Sequence, residues 1–341
     1  MKKNILLIGP YPPPFGGISI HITRLSNHLK NDYNFSFIDE SRTKKKFVFN
    51  LRTLNIFKYL SLIIKSDIVH IHSGSSILRD FHIIISKVLF KNIIVTIHSN
   101  NPIQNKIINI IDKRIITLSN KIIFVNENIV EKLNYKKPHI IKEAFLPPNM
   151  CNEQKLPSFI NKWINRIKKN DSLLLVSNAW RLDLYNGKDL YGLNQGIELI
   201  NELLKQGKNA YLIFNIPNVE ENDKLYYNYK NSIEKLDLTN NILLINENIS
   251  FVKLIEKSDI VLRLTLIDGD AITIREALYM KKPIIASDVV PRPEGTILYK
   301  TNNIDDLVKV CLNFLNNFDN YIIKSNTVLN DYLNFYKSIY K

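Results

Sequence analysis

The strongest constraint on the fold of this chain is a regular alternation of short β-branched runs with longer segments of helical spacing. Parallel strands need a long crossover between them, usually a helix, so this alternation predicts parallel sheets covered by helices. In the first half the predicted strands are Ile5–Ile8, Asn34–Asp39, Asp67–Ile71, Ile93–Ile97 and Ile122–Val125, and the predicted helices include Ser19–Leu29 and Asn55–Lys65. The pattern is typical of an α/β protein.

A proline-containing junction divides the alternation into two parts. Pro147-Pro148-Asn149 and the polar residues 152–157 interrupt the pattern, as linkers between domains do. Beyond the junction the predicted strands are Leu173–Val176, Ala210–Phe214, Ile242–Ile245, Ile260–Leu264 and Pro283–Ala286, and the predicted helices are Phe159–Lys169, Asn194–Lys205, Asp223–Lys235, Ser250–Glu256 and Ile274–Met280.

The length of 341 residues also favours two domains, because single hydrophobic cores usually stop growing below that size. We predict two Rossmann-like domains, residues 1–148 and 170–324, with parallel sheets that face a central cleft. A last helix, at about residues 325–341, is expected to pack back on the first domain.

Cysteine usage and hydropathy indicate the compartment. Cys151 and Cys311 are too few for a disulfide framework or a four-cysteine zinc site, and they are typical of a reducing compartment. Lysines interrupt the longer apolar stretches, so no segment supplies the roughly 20 apolar residues that span a bilayer. We expect a cytoplasmic protein.

Positive charge is concentrated in the first half. Residues 1–150 hold 22 Lys and Arg against 9 Asp and Glu, a net charge of +13, whereas residues 151–341 hold 24 against 23, a net charge of +1. This asymmetry predicts an anionic partner for the first half. Basic runs interleaved with aromatic residues are missing, so nucleic acid is not the expected partner, although a non-enzymatic polyanion-binding module stays an alternative.

A basic amphipathic segment suggests an anionic membrane surface as that partner. After Lys44-Lys45-Lys46, apolar residues recur at helical spacing among basic ones. The apolar residues are Leu51, Leu54, Phe57, Leu60 and Ile64, and the basic ones are Arg52, Lys58 and Lys65. The alternative is an ordinary helix whose apolar side faces the core.

A proline-stiffened loop with Gly16 and Gly17 connects the first strand to the first helix. Glycines at such a turn let backbone N–H groups approach a ligand closely, although a simple tight turn explains them equally well. The spacing matches neither the Walker A loop nor the G-x-G-x-x-G fingerprint.

Acidic residues follow the strand Ile260–Leu264. Asp268-Gly269-Asp270-Ala271 is predicted to open a helix, whose free N–H groups suit a phosphate or a developing oxyanion. Glu276 lies about two turns into that helix, within reach of ribose hydroxyls. Two alternatives remain: Asp268 and Asp270 cap the helix, or they hold a magnesium or manganese ion as a D-x-D pair.

Basic residues and histidines are the remaining candidates for ligand binding. Arg181, Lys188 and Arg263 are candidates to bind a diphosphate, and exposed surface cations are the alternative for each. His98 ends the strand Ile93–Ile97, where α/β sheets bind ligands. His70 and His72 alternate along one strand and are predicted to face opposite sides, which disfavours a zinc pair.

Taken together, motifs between residues 4 and 295 resemble the retaining GT-B glycosyltransferases of family four. They are the opening strand with its Gly-Gly loop, Asp67-Ile-Val-His70-Ile-His72, Val95-Thr-Ile-His98, Ile274-Arg-Glu276-Ala-Leu-Tyr-Met-Lys-Lys-Pro-Ile-Ile-Ala-Ser-Asp288 and Pro293-Glu294-Gly295. Three positions depart from the family pattern. Asp268 stands where the family has Glu, and Ala179-Trp180-Arg181-Leu182 stands where the family has Gly-Arg-Leu, with Arg181 as the matching arginine. Tyr191-Gly192 stands where the family has Lys-Gly, so that Lys188 and Arg263 are two candidates to replace the lysine.

The resemblance implies a hexosyltransferase that moves sugar from a nucleoside diphosphate sugar to a glycan or lipid-linked acceptor, with retention and without metal or cofactor. Polysaccharide biosynthesis at the inner face of the cell membrane is the implied setting. His98, Asp268 and Glu276 are the implied catalytic residues. The implied substrate-binding residues are Gly16, Gly17, Arg181, Lys188, Arg263, Gly269, Asp270, Ala271 and Ile272. A GT-B-shaped sugar-nucleotide 2-epimerase is the rival enzyme class.

Overall fold

A computed structural model describes residues 2–13, 16–98, 106–168, 172–221, 223–269, 271–317 and 329–341. The chain divides into two compact units. The first unit comprises Met1–Pro147 together with Val328–Lys341, and the second unit comprises Pro148–Thr327. The boundary falls inside the Pro147-Pro148 pair of the junction.

The first unit alternates strands and helices along the chain. Its elements up to the junction are β1 Asn4–Gly9, α1 Gly17–Leu29, β2 Asn34–Asp39, β3 Phe49–Asn50, a 3₁₀ turn Leu51–Thr53, α2 Ile56–Lys65, β4 Ile68–Ile71, α3 Ser76–Val88, β5 Asn92–Ile97, α4 Lys106–Ile116, β6 Lys121–Phe124, α5 Glu127–Leu133 and β7 Ile140–Ile141.

The second unit repeats the alternation. Its elements are α6 Ser158–Lys168, β8 Leu173–Asn178, β9 Leu184–Tyr185, β10 Lys188–Asp189, α7 Leu193–Lys205, β11 Ala210–Asn215, α8 Lys224–Lys235, β12 Ile242–Ile245, α9 Phe251–Lys257, β13 Ile260–Arg263, α10 Ile272–Tyr279, β14 Ile284–Ser287, β15 Ile297–Tyr299 and α11 Ile304–Asn316. The chain then ends in α12, Leu329–Ile339, which belongs to the first unit.

Both units contain a parallel sheet of the same winding. In the described part of the first unit the strand order is β3-β2-β1-β4-β5-β6-β7, and in that of the second it is β12-β11-β8-β13-β14-β15. Strand order reverses between β1 and β4 in one sheet and between β8 and β13 in the other. Doubly wound sheets bind ligands beyond the carboxyl ends of the strands at this switch point. The α/β class predicted from the alternation is therefore confirmed.

Alternate residues of each strand enter cores on opposite faces of the first sheet. Ile5 and Leu7 of β1 contribute to a cluster with α1 and α12, and Leu6 and Ile8 to a cluster with α2, α3 and α5. Every strand predicted from the sequence overlaps an observed one. The additional strands β3, β7, β9, β10 and β15 have two or three residues each, too few to show a period.

Candidate functional site

The second unit gathers charged side chains at the switch point of its sheet. Arg263 is the last residue of β13, and Asp268 follows it in the loop that leads to α10. Oδ2 of Asp268 accepts a hydrogen bond from Nε of Arg263 at 2.9 Å, and Oδ1 accepts one from Nη2 at 2.8 Å. This bidentate pairing matches the planar fork of the guanidinium to the carboxylate.

A second arginine holds the same carboxylate. Nη1 of Arg292 donates to Oδ2 of Asp268 at 2.9 Å, and the hydroxyl of Thr265 donates to Oδ2 at 3.1 Å. Arg292 is itself held by Ser287, because its Nε donates to the carbonyl of that residue at 3.1 Å. Two guanidinium groups thus share one carboxylate, and this arginine–aspartate cluster carries a net positive charge.

The cluster keeps Asp268 ionised. Burial alone would raise the pKa of Asp268, but hydrogen bonds and charge from Arg263, and then from Arg292, hold that pKa below its ordinary value. Arg263 uses Nε and Nη2 on the carboxylate, and no described residue bonds its Nη1. That nitrogen is free to meet an anionic ligand.

The structure revises the roles predicted for the acidic residues. The helix begins at Ile272 with Ala271 as its N-cap, and among the described residues no side chain is bonded as its cap. The alternative that Asp268 caps the helix is therefore wrong, because the carboxylate is taken up by arginines and by the N–H of Gly269 at 3.0 Å. Asp270 lies outside the described residues. Within the described part of the chain, no group of three or more His, Cys, Asp or Glu is arranged to hold a metal ion.

Helix α10 directs polar side chains toward the end of β8. The hydroxyl of Thr273 lies 3.4 Å from Oδ1 of Asn178, the last residue of that strand. Glu276 follows Thr273 by three positions, so both side chains lie on the same helix face. Glu276 is 3% exposed. A buried carboxylate therefore lies on the helix face that carries Thr273, and its role toward a ribose stays a prediction.

Two of the three candidate cations lie on the surface. Arg181 is paired with Asp183 at 2.8 Å, and their side chains are 59% and 42% exposed. Lys188 is exposed on the antiparallel hairpin of β9 and β10. Only Arg263 of the three is part of the cluster, so the structure brings Arg263 and Asp268 together and leaves Arg181 and Lys188 outside their hydrogen bonds.

Close packing at the carboxyl edge of the second sheet requires a glycine at position 192. It is the N-cap of α7 and has a φ of 76°. A Cβ at this position would lie 2.4 Å from both the Cβ and the carbonyl oxygen of Leu264, directly after β13. Glycine is thus the one residue that lets α7 begin against the strand carrying Arg263.

In the first unit the Gly-Gly loop leads directly into a helix. Gly16 is the N-cap of α1, and Gly17 is the first residue of the helix. A Cβ at either position would meet nothing within 4 Å. Neither residue has a positive φ in the structure, so no local packing demands glycine there. The open space above both residues is compatible with close approach of a ligand.

Histidines occupy the carboxyl edge of the first sheet. The rings of His70 and His72 have centroids 4.0 Å apart. The prediction that they face opposite sides is wrong, because side chains two positions apart on a strand lie on the same face. His98, half-buried after β5, is bonded to His72, with Nε2 of His98 at 3.0 Å from Nδ1 of His72.

His21, His70, His72 and His98 form the histidine cluster. Its other hydrogen-bond partners are hydroxyl and carbonyl groups. His70 is bonded to the hydroxyl of Tyr340 at 2.7 Å and that of Thr96 at 2.8 Å. Nδ1 of His21 donates to the carbonyl of Ala144 at 3.0 Å. Burial lowers the pKa of His21 to about 4, and burial together with neighbouring histidines lowers the pKa of His70, His72 and His98 well below the usual range. All four rings are neutral near pH 7.

Sequence reasoning missed Arg292 and His72 as partners of predicted residues. Arg292 lies between Pro291 and Pro293, next to the Pro-Glu-Gly motif, and that position was the available signal. His72 belongs to the quoted Asp67–His72 motif, but its link to His98 depends on the pairing of β4 with β5. Neither partnership follows from spacing along the chain.

The surface of α2 and α3 exposes large apolar side chains. Tyr59 of α2 stacks on Phe81 of α3 with ring centroids 5.7 Å apart, so the two helices share one surface. Phe57 is 89% exposed and Phe90 is 96% exposed. We call this surface the apolar face; its residues are Ile56, Phe57, Ile64, Ile77, Phe81, Ile84 and Val88, and the flanking segments expose Phe47, Leu54 and Phe90.

The apolar residues that recur at helical spacing after Lys44-Lys45-Lys46 are divided between core and solvent. Leu51 and Leu60 pack against the core, whereas Leu54, Phe57 and Ile64 are exposed. Of the basic run, Lys45 donates to Asp39 at 2.8 Å, while Lys44 and Lys46 are exposed. Among the described residues, no helix has the length and apolar character needed to cross a membrane.

Known structures share this fold. No protein-family model and no curated protein matches the chain. A glycosyltransferase from Rickettsia africae ESF-5 is 19% identical, with a TM-score of 0.71 over 100% of this chain and 99% of that one. HepE from Anabaena, solved with UDP and glucose, is 12% identical, with a TM-score of 0.67 over 94% and 91%.

A third match extends the same comparison. The apo form of the lipopolysaccharide outer core galactosyltransferase WaaB is 14% identical, with a TM-score of 0.56 over 94% of this chain and 91% of that one. The matched structures are glycosyltransferases, and the match covers nearly the whole chain in each case. The chain therefore has the GT-B glycosyltransferase fold.

Proposed function

We propose that this protein is a retaining, metal-independent glycosyltransferase that moves a hexose from a nucleoside diphosphate sugar to a glycan or lipid-linked acceptor in cell-surface polysaccharide biosynthesis. The observation that carries the proposal is the arginine–aspartate cluster at the switch point of the second sheet, next to the start of α10. HepE, which shares the fold, was solved with UDP and with UDP-glucose. UDP-sugars are therefore the first donors to test.

The cluster has the chemistry that a diphosphate leaving group requires. Nη1 of Arg263 and the first N–H groups of α10 would donate to phosphate oxygens. Such donors stabilise charge as it grows on the leaving diphosphate, an effect of roughly 3–4 kcal/mol for one well-placed donor. A divalent cation beside Asp268 would be repelled by the two guanidinium groups that already neutralise this carboxylate.

Four other candidates, Glu276, His98, Gly16 and Gly17, have binding roles in this proposal. Glu276 would accept hydrogen bonds from the ribose hydroxyls, and His98 would donate to the transferred sugar. Gly16 and Gly17 would let the substrate approach the backbone at the start of α1. The acceptor hydroxyl would attack the face from which the diphosphate departs, and its proton would pass to a phosphate oxygen of the leaving group.

A donor screen tests the proposal directly. Purified protein is mixed with UDP-, GDP-, ADP- and dTDP-sugars, and the melting temperature and the release of free nucleotide are measured with and without EDTA. We expect stabilisation by one nucleotide class and turnover that persists in EDTA. Loss of all turnover in EDTA, restored by manganese or magnesium, contradicts metal independence; an isomerised sugar nucleotide without transfer indicates the 2-epimerase instead.

Variants of the proposed site sharpen this test. Glu276→Ala should weaken donor binding, while His98→Ala and Arg263→Ala should lower turnover more than donor affinity. Arg181→Ala is the matched control for a cation on the surface, because its side chain is 59% exposed. Wild-type turnover and donor affinity in all three site variants would show that the assignment is wrong.

The proposal includes docking of the first unit on an anionic membrane. Exposed lysines lie on the two helices of the apolar face, at positions 58, 65 and 87, and in the segment before them, at positions 44 and 46. Nζ of Lys46 lies 5.7 Å from the ring centroid of Phe47, so charge and apolar surface adjoin directly. Each basic residue near an anionic surface contributes about 1 kcal/mol, and the apolar side chains would enter the headgroup region.

Vesicle sedimentation tests the docking. We expect binding to phosphatidylglycerol vesicles at low salt, little binding to phosphatidylcholine, and release at high salt. The double variant Phe57→Ser/Ile64→Ser should lose binding, whereas Leu298→Ser, a change at an exposed apolar residue of the second unit, should not. Equal binding to both lipids, or none at low salt, rejects the membrane and leaves a water-soluble acceptor.

A further inference from the structure

Among the described residues, one buried ring nitrogen of the histidine cluster has no hydrogen-bond partner. Nε2 of His72 is buried and makes no hydrogen bond to any described residue. The other ring nitrogen of His72, Nδ1, forms the 3.0 Å hydrogen bond with Nε2 of His98. One hydrogen lies between these two nitrogens, and one of the two rings provides it. The ring that accepts this hydrogen bond must carry its own proton on its other nitrogen.

Two arrangements of that hydrogen exist. Each ring is neutral and so carries one N–H. If His98 donated from Nε2, the proton of His72 would lie on its buried Nε2, as an N–H without an acceptor. If His72 donates from Nδ1, its Nε2 is a bare lone pair. Buried N–H groups without acceptors are rarer than acceptors without donors, so the second arrangement is favoured.

We infer that His72 is a positioning residue, which donates its Nδ1–H to Nε2 of His98 and thereby holds His98 with its proton on Nδ1. Among the described residues, none bonds to Nδ1 of His98. This N–H is the donor that we assign to a hydroxyl of the transferred sugar at the carboxyl end of β5. The use of that donor rests on the proposed function, whereas the tautomer of His98 does not.

Neighbouring histidines provide internal references. His21 must carry its proton on Nδ1, because the Ala144 carbonyl can only accept. His28 must carry its proton on Nε2, because that nitrogen lies 2.9 Å from the carbonyl of Pro147. His70 is a matched control for His72, because it is buried on the same sheet face but is bonded to Tyr340 and Thr96.

The tautomer is measured by correlating ring carbon-bound protons with ring ¹⁵N nuclei in protein labelled at its seven histidines. We expect the Nδ1–H form for His98 in the wild type, at least partial transfer of its proton to Nε2 in His72→Phe, and no change in His70→Asn. The Nε2–H form of His98 in the wild type, or the same tautomer in the wild type and in His72→Phe, overturns the inference.

Turnover provides a second readout. His72→Asn keeps an amide N–H close to the position of Nδ1 and should retain turnover within about threefold, whereas His72→Phe should lower kcat about tenfold with little change in the donor KM. Equal losses in both variants would show a purely structural role. If His72→Phe does not fold, the wild-type tautomer and His72→Asn still decide. If the wild type transfers no sugar, the proposed function fails while the tautomer measurement stands.

Discussion

The two sheets have the same winding, but the histidine cluster of the first unit and the arginine–aspartate cluster of the second bury polar groups in opposite ways. In the first unit, His21, His70 and His72 are buried with no counter-ion among the described residues, and burial selects their neutral form. In the second unit, Asp268 is buried between two guanidinium groups, which select its charged form. The presence of a counter-ion, rather than the fold, therefore determines the charge of each edge.

This comparison predicts that the two units respond to acid in different pH ranges, and this is the largest effect we expect. The folded-state pKa of His21, about 4, lies below its ordinary value of 6.5, so its contribution to stability is complete above pH 6.5 and is lost as the pH falls toward 4. The loss is about 3 kcal/mol for this residue. The lowered pKa values of His70, His72 and His98 act in the same direction.

Tryptophan fluorescence separates the units, because both tryptophans, Trp163 and Trp180, belong to the second unit. Between pH 6.5 and 4, we expect far-UV circular dichroism to report partial unfolding while tryptophan fluorescence stays native. Coincident loss of both signals would show that the two edges do not differ in acid sensitivity.

Removing the negative charge of Asp268 from the arginine–aspartate cluster should have the next largest effect on stability. Asp268→Asn leaves Arg263 and Arg292 without their carboxylate and should lower the free energy of unfolding by about 3 kcal/mol at pH 7. Because the folded-state pKa of Asp268 is lowered, this contribution exists above about pH 4 and disappears as the pH falls through the folded-state pKa.

Urea titration followed by tryptophan fluorescence measures this loss. Asp183→Asn is the matched control, because the ion pair of Asp183 with Arg181 is largely exposed, and such pairs contribute little. A loss of the same size in both variants would contradict the special status of the buried carboxylate.

Close packing around Gly192, at the carboxyl edge of the second sheet, predicts an effect of intermediate size on stability. Gly192→Ala combines a strained positive φ with a Cβ 2.4 Å from Leu264, and should lower the free energy of unfolding by about 2–4 kcal/mol. Gly207→Ala has a similar φ of 72° but open space around its Cβ, so it should lose about 1 kcal/mol. Thermal or urea unfolding of both variants tests the difference; equal losses would leave strain in φ as the whole cause.

The glycines of the first unit should show the smallest effect on stability. Gly17→Ala introduces a Cβ into open space at the first residue of α1, and should leave the unfolding free energy unchanged or raise it by up to about 0.5 kcal/mol. A marked fall in donor or acceptor affinity without a fall in stability would indicate ligand approach at this loop. A clear destabilisation would show that the glycine serves packing instead.

Local patterns in the sequence determined the elements and their class. Strands such as Asn34–Asp39 and Ile242–Ile245 coincide with their predicted bounds, because strand runs and crossover helices are set by side chains close together on the chain. The position of Asp268 after a buried strand and of Glu276 inside the following helix also followed from local order.

The partners of these residues were decided by the tertiary structure alone. Asp268 meets Arg292 across 24 positions, and His70 meets Tyr340 across 270. Sequence periodicity shows which residues are apolar or turn-forming, but strand order and register determine which distant side chains meet at one edge. The same reason explains why Phe57 lies on the exposed apolar face while Leu60, three positions later, packs against the core.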